Sequence, residues 1–328
     1  MSFLKISEKI VLNKLKKIKN GNLKLINYDG KVFHFGSLES NLSADIKINN
    51  PKFYFNIISG GSSALGEAHM NKDFYTSNLT NLIEISAKNI ELVYSFSGSL
   101  KIKKIKNFFK SIFASNTKSK SLQHISKHYD LGNNFFSKWL DKTLTYSSAV
   151  YENENDSLEI AQKNKYQKLI DLLNVKDGNK VLEIGCGWGG FSEYLAKNYN
   201  VSIDCITISK KQFEFTKKRI SDVGLNNKVN VLFLDYRDLQ DKYDKIVSIE
   251  MIEAVGENYL GKYFETIKKS LNKDGSAALQ GITIRDDLFD RYKRSEDFIQ
   301  KYIFPGGFLP SVNLMKTLIK KNKLNLIK

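Results

Sequence analysis

The glycine-rich run from Val181 to Gly190 limits the fold of this 328-residue chain more than any other feature. It reads Val-Leu-Glu-Ile-Gly-Cys-Gly-Trp-Gly-Gly, an apolar segment that leads into closely spaced glycines, and a helical pattern follows from Phe191 to Ala196. Glycine lets a backbone turn tightly and approach a ligand, and the first turn of a helix offers free N–H groups. The run therefore predicts a strand, a ligand-binding turn and a helix, as at the nucleotide-binding edge of an α/β sheet.

The glycine spacing fits two classes of cofactor. Gly185, Gly187 and Gly190 satisfy the dinucleotide-binding pattern. Glu183 and the glycines up to Gly189 resemble the signature of S-adenosylmethionine (SAM) methyltransferases. A carboxylate two residues before the first glycine suits the cationic amino end of SAM and has no place beside a pyrophosphate, so the motif favours SAM. A turn that serves only the packing of strand against helix is the remaining alternative.

Helical and strand patterns alternate from residue 158 onward. This alternation predicts a parallel sheet with helices. With the SAM signature, it points to the Rossmann-like α/β fold of class I SAM-dependent methyltransferases, beside a smaller α+β N-terminal domain. Ligands of such sheets bind at the carboxyl ends of the strands. The predicted helices are 158–174, 190–199, 209–223 and 257–271, and the predicted strands are 179–185, 201–208, 229–234, 244–250 and 276–284.

The first 120 residues differ from the rest in charge. They contain 19 Lys and 8 Asp or Glu, a net charge of +11, whereas the remaining residues carry +5. We expect a basic N-terminal domain at 1–120, with short strands, a helix, a turn at 60–63 and a closing linker, and a methyltransferase domain at 121–328. Residues 3–19 and 101–113 have the pattern of basic amphipathic helices, which suits an anionic membrane surface. Helices packed on their own domain, or a Lys-rich composition set by the genome, remain alternatives.

Residue usage argues against several classes of protein. Cys186 and Cys205 have no partner spacing, so we expect no disulfide scaffold and no metal site. All four histidines precede residue 130, which excludes a His-based triad within the glycine-motif domain. We find no signal peptide, no membrane-spanning run and no RNA-binding motif, and we expect a cytoplasmic protein that meets the inner face of the membrane from its surface. No nucleic acid partner is expected.

Polar residues follow the predicted strands. Asp235 and Tyr236 end the third strand, where a carboxylate can accept the adenine amino group and an aromatic ring can cover the base. A helix cap or a loop salt bridge is the alternative for Asp235. Thr207, Ser209 and Gln212 end the second strand and offer polar groups to a ribose.

Two carboxylates, Glu250 and Glu253, follow the fourth strand. They could be acids that favour a helix start through the macrodipole. Their place at the predicted cofactor crevice makes a functional role for at least one of them the better interpretation.

Six segments, in this order and at this spacing, carry a family resemblance: His128–Phe136, Leu144–Ala149, Leu182–Gly189, Ile206–Gln212, Glu250–Gly256 and Asp297–Gly307. They resemble the cyclopropane-fatty-acyl-phospholipid synthase family, which includes mycolic acid cyclopropane synthases. The resemblance implies transfer of a methyl(ene) group from SAM to the cis double bond of unsaturated acyl chains in membrane phospholipids, which forms cyclopropane fatty acids. It also favours a homodimer.

The resemblance implies roles for individual residues. Glu253, Ser148 and Gln280 would be catalytic, and a bicarbonate ion held partly by Glu253 would be the base. Attack of the alkene on the methyl group leaves a carbocation, and loss of a methyl proton closes the ring. The residues expected to bind SAM are Tyr146, Ser147, Glu183, Gly185, Gly187, Gly189, Thr207, Ile208, Gln212, Asp235, Tyr236 and Ile249.

The chain departs from the family at several positions. Ser148 stands where the family often has Cys, Gln280 aligns with a His, and Ala254 follows the key Glu where a His is usual. These changes suggest a subgroup with a methyl-branched or methylene product. Family members usually continue beyond the position of Lys328, so we expect a truncated chain of doubtful activity. A soluble acceptor and a non-catalytic homologue are the other hypotheses.

Overall fold

The chain forms two separately packed units in the computed structural model. The described residues are 3–60, 62–96, 133–294 and 296–327. Residues 3–96 and 296–299 form the first unit, and residues 133–294 and 300–327 form the second. The predicted amphipathic stretch 101–113, the linker after it and the resemblance segment up to Gly132 lie outside the described residues.

The first unit combines a mixed sheet with five helices among its described residues. Its sheet has the order β2-β1-β3-β4, in which β1 pairs antiparallel with β2 and parallel with β3. Leu25, Ile48 and Tyr54 are among its most buried side chains. The elements are α1 (Phe3–Leu15), β1 (Asn22–Ile26), β2 (Val32–Gly36), β3 (Ser43–Ile48), α2 (Lys52–Gly60), α3 (Ser62–Met70), β4 (Phe74–Tyr75), α4 (Leu79–Lys88) and α5 (Ile90–Phe96).

The turn predicted at 60–63 is wrong in part, because helices occupy most of it. Gly60 is the last residue of α2, and α3 has already begun at Ser62. A later segment of the chain also joins this unit, where the Ser63 hydroxyl donates to the Glu296 carbonyl. A Cβ atom on Gly66 would lie 2.5 Å from the Phe298 ring, so only glycine allows that approach.

The second unit alternates strands and helices, as predicted. Most predicted boundaries agree with the structure to within three residues. The elements are α6 (Asn133–Phe136), α7 (Leu158–Leu173), β5 (Lys180–Ile184), α8 (Gly190–Asn198), β6 (Ser202–Thr207), α9 (Lys210–Asp222), β7 (Val229–Phe233), β8 (Tyr243–Ile249), α10 (Ile252–Val255), α11 (Leu260–Ser270), β9 (Leu271–Gln280), α12 (Asp286–Lys293) and α13 (Val312–Lys321), with 3₁₀ turns at Tyr236–Asp238 and Glu257–Tyr259 and a π-helical turn at Ile299–Ile303.

The strands of the second unit form a parallel sheet with the order β7-β6-β5-β8-β9. Successive residues of β5 pack on opposite faces: Val181 joins a core with Phe191, and Leu182 joins a core with Phe264. The sheet is therefore covered on both sides. The chain order runs outward from β5 in both directions, so the switch point lies at the carboxyl ends of β5 and β8. Gly185 and Glu250 follow these two strand ends.

The last strand differs from its predicted range of 276–284. Strand β9 begins at Leu271, with a register shift against β8, and ends at Gln280. Beyond it, the Ile282 N–H donates to the Glu253 carboxylate and the Ile284 N–H donates to the Pro310 carbonyl, so the backbone leaves the sheet. Within the described ranges, no helix is long and apolar enough to cross a membrane.

Candidate active site

The glycine turn connects β5 to α8 and leaves one glycine open. The N–H groups of Gly185 and Cys186 both donate to the Ile206 carbonyl at 3.0 Å, which ties the turn to β6. Gly187 has φ +54°, and a Cβ atom built on it would meet nothing within 4 Å. The backbone at Gly187 is therefore the part of the turn that a ligand can approach.

An arginine that the sequence did not indicate joins the turn to the segment before it. Arg219 on α9 donates to the carbonyls of Trp188 at 2.9 Å, Thr143 at 2.7 Å and Lys142 at 2.7 Å. Its Nε atom lies 2.7 Å from the Glu193 carboxylate on α8. One planar side chain thus holds together the glycine turn, the first turn of α8 and the segment that leads to Tyr146.

The segment Tyr146–Ser148 lies on two buried polar side chains of α7. Gln162 Nε2 donates to the Ser147 carbonyl at 2.8 Å, and Lys165 Nζ donates to the Ser147 hydroxyl at 2.6 Å. Lys165 is 1% exposed, and burial lowers its pKa to about 8. Neither residue was predicted, because a polar side chain within an amphipathic helix reads from sequence as part of the solvent face.

Glu183 lies inside β5 rather than at the surface of the crevice. Its side chain is 3% exposed and accepts a hydrogen bond from the Ser192 hydroxyl on α8. Burial raises the pKa of this carboxyl to about 8, so its neutral form is favoured at neutral pH. Its predicted contact with the amino end of SAM stays a prediction.

The residues predicted to bind the ribose of SAM are hydrogen-bonded to one another. The Thr207 hydroxyl donates to Gln212 Oε1 at 2.9 Å, and both side chains are buried. Ser209 caps α9 through its hydroxyl, while Ile208 beside it is half-buried. A ribose contact through Thr207 or Gln212 would require their mutual hydrogen bond to rearrange, so it too stays a prediction.

Asp235 forms the cap and the salt bridge that the sequence left as its alternative role. Its carboxylate accepts from the Arg237 backbone N–H at 2.9 Å, and Arg237 Nη2 lies 2.6 Å from Oδ2. Tyr236 is half-buried, and burial raises its pKa to about 12. Ile249, at the end of β8, is also half-buried. The adenine contact of Asp235 stays a prediction.

Two of the three predicted catalytic residues, Ser148 and Gln280, both contact the Glu250 carboxylate. Glu250 Oε1 accepts hydrogen bonds from the Ser148 N–H at 2.8 Å, the Ser148 hydroxyl at 2.8 Å and Gln280 Nε2 at 2.9 Å. Gln280 Nε2 also lies 2.9 Å from the Ser148 hydroxyl. The sequence had placed Glu250 at the crevice, but the predicted catalytic set did not include it.

Glu253 lies one turn further on, in α10. Its Oε1 accepts from the Ile282 N–H, two residues after Gln280. Its Oε2 is buried and has no hydrogen-bond partner among the described residues. Burial raises the pKa of this carboxyl, and the nearby Glu250 raises it further. Glu253 therefore presents an unsatisfied polar atom beside the Glu250 cluster, as expected of a group that meets a ligand.

Aromatic side chains surround Tyr146. Its ring centroid lies 5.3 Å from those of Phe136 and Trp139 and 6.3 Å from that of Phe304, which is nearly parallel to it. Trp188 of the glycine turn contacts Phe136 at 5.0 Å. Trp139 and Phe304 are 47% and 40% exposed. The site thus has an apolar aromatic side open to a non-polar ligand.

The family model for mycolic acid cyclopropane synthetase matches residues 116–328. The chain belongs to this family. It is 36% identical over 283 residues to the cyclopropane-fatty-acyl-phospholipid synthase of Escherichia coli K12, which covers 84% of this chain and 69% of that protein. It is 32% identical over 258 residues to the tuberculostearic acid methyltransferase UfaA1 of Mycobacterium tuberculosis, covering 76% of this chain and 60% of that protein.

Solved structures agree with this membership. The cyclopropane synthase MmaA2 from Mycobacterium tuberculosis superposes with a TM-score of 0.59 at 30% identity, over 63% of this chain and 76% of that chain. The mycolic acid cyclopropane synthase CmaA1, complexed with SAH and CTAB, gives a TM-score of 0.59 at 28% identity, with the same coverage. This member of the synthetase family is a SAM-dependent methyltransferase with a Rossmann-like α/β fold.

The residues present fit SAM but do not fit bicarbonate. The open space at Gly187, at the carboxyl end of β5, is a cradle that a Cβ atom would fill. Ser148 and Gln280, which the resemblance makes catalytic, donate to the Glu250 carboxylate, which carries the same sign of charge as bicarbonate. Among the described residues, no group of three or more His, Cys, Asp or Glu could hold a metal ion.

Proposed function

We propose that this chain transfers a methyl(ene) group from SAM to the cis double bond of unsaturated acyl chains in membrane phospholipids and so forms cyclopropane fatty acids. One observation carries the proposal: the open glycine turn, the aromatic group around Tyr146 and the cluster of Ser148, Glu250 and Gln280 meet at one edge of the sheet. The identity with the cyclopropane-fatty-acyl-phospholipid synthase of E. coli supports the choice of acceptor.

The chemistry of an alkene explains why such residues are needed. SAM supplies an electrophilic methyl group when it is bound. An alkene is a weak nucleophile, so the site must hold it in line and keep water away. Trp139, Tyr146 and Phe304 offer apolar surface to an acyl chain, and aromatic faces also stabilise positive charge that develops on it. Glu250 places a negative charge close to Tyr146, on this aromatic side of the site.

The first unit supports the assignment of a membrane as partner. Helix α1 leaves Phe3, Ile6 and Ile10 exposed at 61%, 42% and 39%, with Lys5 and Lys9 among them. Apolar side chains between lysines suit the headgroup region of an anionic bilayer. We therefore propose that the protein associates peripherally with the inner face of the membrane. Flotation with phosphatidylglycerol vesicles tests this by comparing wild type with the Ile6→Asp variant.

The family resemblance also favours a homodimer, and the molar mass of the protein in solution, measured by light scattering, tests that expectation.

The function is tested with purified chain, methyl-labelled SAM and vesicles of a phospholipid with cis-monounsaturated chains. Mass spectrometry of the acyl chains should show a gain of one CH₂ group, and proton NMR should show ring protons in place of olefinic ones. Vesicles with only saturated chains are the matched control and should gain no label. A methylene group or a methyl branch on the acyl chain would show that the protein forms another product from the same carbocation. Unchanged lipid with SAM bound would contradict the proposal and favour a soluble acceptor or a non-catalytic homologue.

A further inference from the structure

The Glu250 carboxylate is held by three donors through one oxygen only. Ser148 gives its N–H and its hydroxyl, and Gln280 gives Nε2, all to Oε1 at 2.8 to 2.9 Å. Within the described part of the chain, Oε2 has no hydrogen bond. A carboxylate fixed in this way is oriented, and its second oxygen is free to accept a proton.

The backbone of Glu250 shows that this placement has a structural cost. Its φ is +48°, in the left-handed region that residues other than Gly, Asn and Asp rarely adopt. The Glu250 N–H donates to the Gln280 carbonyl at 2.8 Å, which fixes the residue at the end of the sheet. Strained residues of this kind concentrate at functional sites, where the surrounding contacts hold them.

Other titratable groups surround Glu250, and one of them is the buried cation Lys165, because the charge of Glu250 acts to raise the pKa of that amine. Tyr146, in the aromatic group, has a pKa raised by burial and by the charge of Glu250, so the two groups are close. Glu253 is close enough for Glu250 to raise its pKa as well. A second small anion here would lose the donors of Ser148 and Gln280 and would meet the negative charge of Glu250.

From this geometry we propose that Glu250 is the general base of the reaction and that it replaces a bound bicarbonate ion; the proposal rests on the function proposed above. The alkene π pair bonds to the methyl carbon while the C–S bond breaks and leaves its electron pair on sulfur. A C–H bond of the transferred methyl group then gives its pair to the new C–C bond of the ring. The proton moves to Glu250 Oε2, which gives a neutral carboxylic acid, and then to solvent.

The kinetic test compares wild type, Glu250→Gln and Glu250→Gly in buffer freed of carbon dioxide and in the same buffer with bicarbonate added. Wild type should turn over at the same rate in both. Glu250→Gln should lose about 100-fold or more in kcat, since an amide accepts no proton, with unchanged SAM affinity. Glu250→Gly should regain activity when bicarbonate is added. Glu265→Gln, at an ion-paired surface residue of α11, is the control and should keep full activity.

A binding test decides the proposal without turnover. Titration of ¹³C-bicarbonate, followed by NMR line broadening, should show no specific binding to wild type and binding to Glu250→Gly. Bicarbonate that binds to wild type and is required for its turnover would overturn the proposal, as would a Glu250→Gln variant within about threefold of wild type. If wild type makes no product in either buffer, the proposed function fails, and the NMR titration alone still shows whether Glu250 takes the place of the ion.

Discussion

Lys165 Nζ lies 2.6 Å from the Ser147 hydroxyl, in a position that is 1% exposed. Glu183 is buried nearby, and each of the two charges acts on the pKa of the other group. Burial lowers the pKa of Lys165 to about 8 and raises that of Glu183 to about 8. The two groups therefore give the protein opposite dependences of stability on pH.

Glu183 should make the protein less stable as pH rises through the neutral range. Its carboxyl titrates at about 8 in the folded protein and at about 4.3 in the unfolded chain. Between these values the folded protein binds more protons, so the free energy of unfolding falls with pH, by up to about 1.4 kcal/mol per unit. Urea unfolding from about pH 5 to pH 8 should show this slope in wild type and a flatter one in Glu183→Gln. Glu214→Gln, at an exposed residue, should keep the wild-type slope.

Lys165 should make the protein more stable as pH rises above 8. The unfolded chain keeps the lysine proton up to about 10.4, while the folded protein loses it at about 8. The unfolded chain then binds more protons, so the free energy of unfolding of wild type should rise over this range relative to that of Lys165→Met. Lys168→Met, at an exposed position of the same helix, is the control. Equal slopes for wild type and Lys165→Met would show that the amine titrates as in solvent.

The sequence predicted the parts of the site that depend on local pattern. Alternation of apolar strands and amphipathic helices located β5 to β8, and the rule for parallel sheets placed Gly185 and Glu250 at the same edge. The contact of Ser148 with Glu250 joins residues 102 positions apart. This contact depends on the positive φ of Glu250, which the pattern of side chains in the sequence does not predict.

The start of β9 and the role of Arg219 could not be predicted either. The polar residues 272–275 read as a loop, yet they lie within the strand at its register shift. Arg219 has the sequence context of a solvated residue in a lysine-rich helix. Its three carbonyl partners belong to two distant segments, one at Lys142 and Thr143 and the other at Trp188. Both depend on how backbone carbonyls are satisfied in the folded protein, which residue type alone does not reveal.

Arg219→Lys should loosen the site although it keeps the positive charge. A lysine has one point charge and cannot reach the carbonyls of Thr143 and Trp188 together with the carboxylate of Glu193. We expect a loss of about 2 kcal/mol in the free energy of unfolding and weaker SAM binding. Denaturant unfolding and calorimetric titration with SAM measure the two effects. Lys218→Ala, at the neighbouring exposed residue, should change neither quantity. A wild-type SAM affinity in Arg219→Lys would contradict the role of Arg219 in holding the glycine turn in place.

Alanine substitutions should separate the glycine that a ligand approaches from those that only shape the chain. Gly187→Ala places a methyl group in open space, so it should cost only about 1 kcal/mol of stability for the positive φ yet abolish SAM binding. Gly178→Ala is the matched control, since Gly178 also has a positive φ and open space but lies before β5, and it should bind SAM normally. Gly189→Ala would bring Cβ to 2.6 Å from Thr216 Cγ2 and should destabilise the fold itself. Calorimetric titration and thermal unfolding of the three variants distinguish these effects, and normal SAM binding by Gly187→Ala would show that the cofactor does not approach this turn.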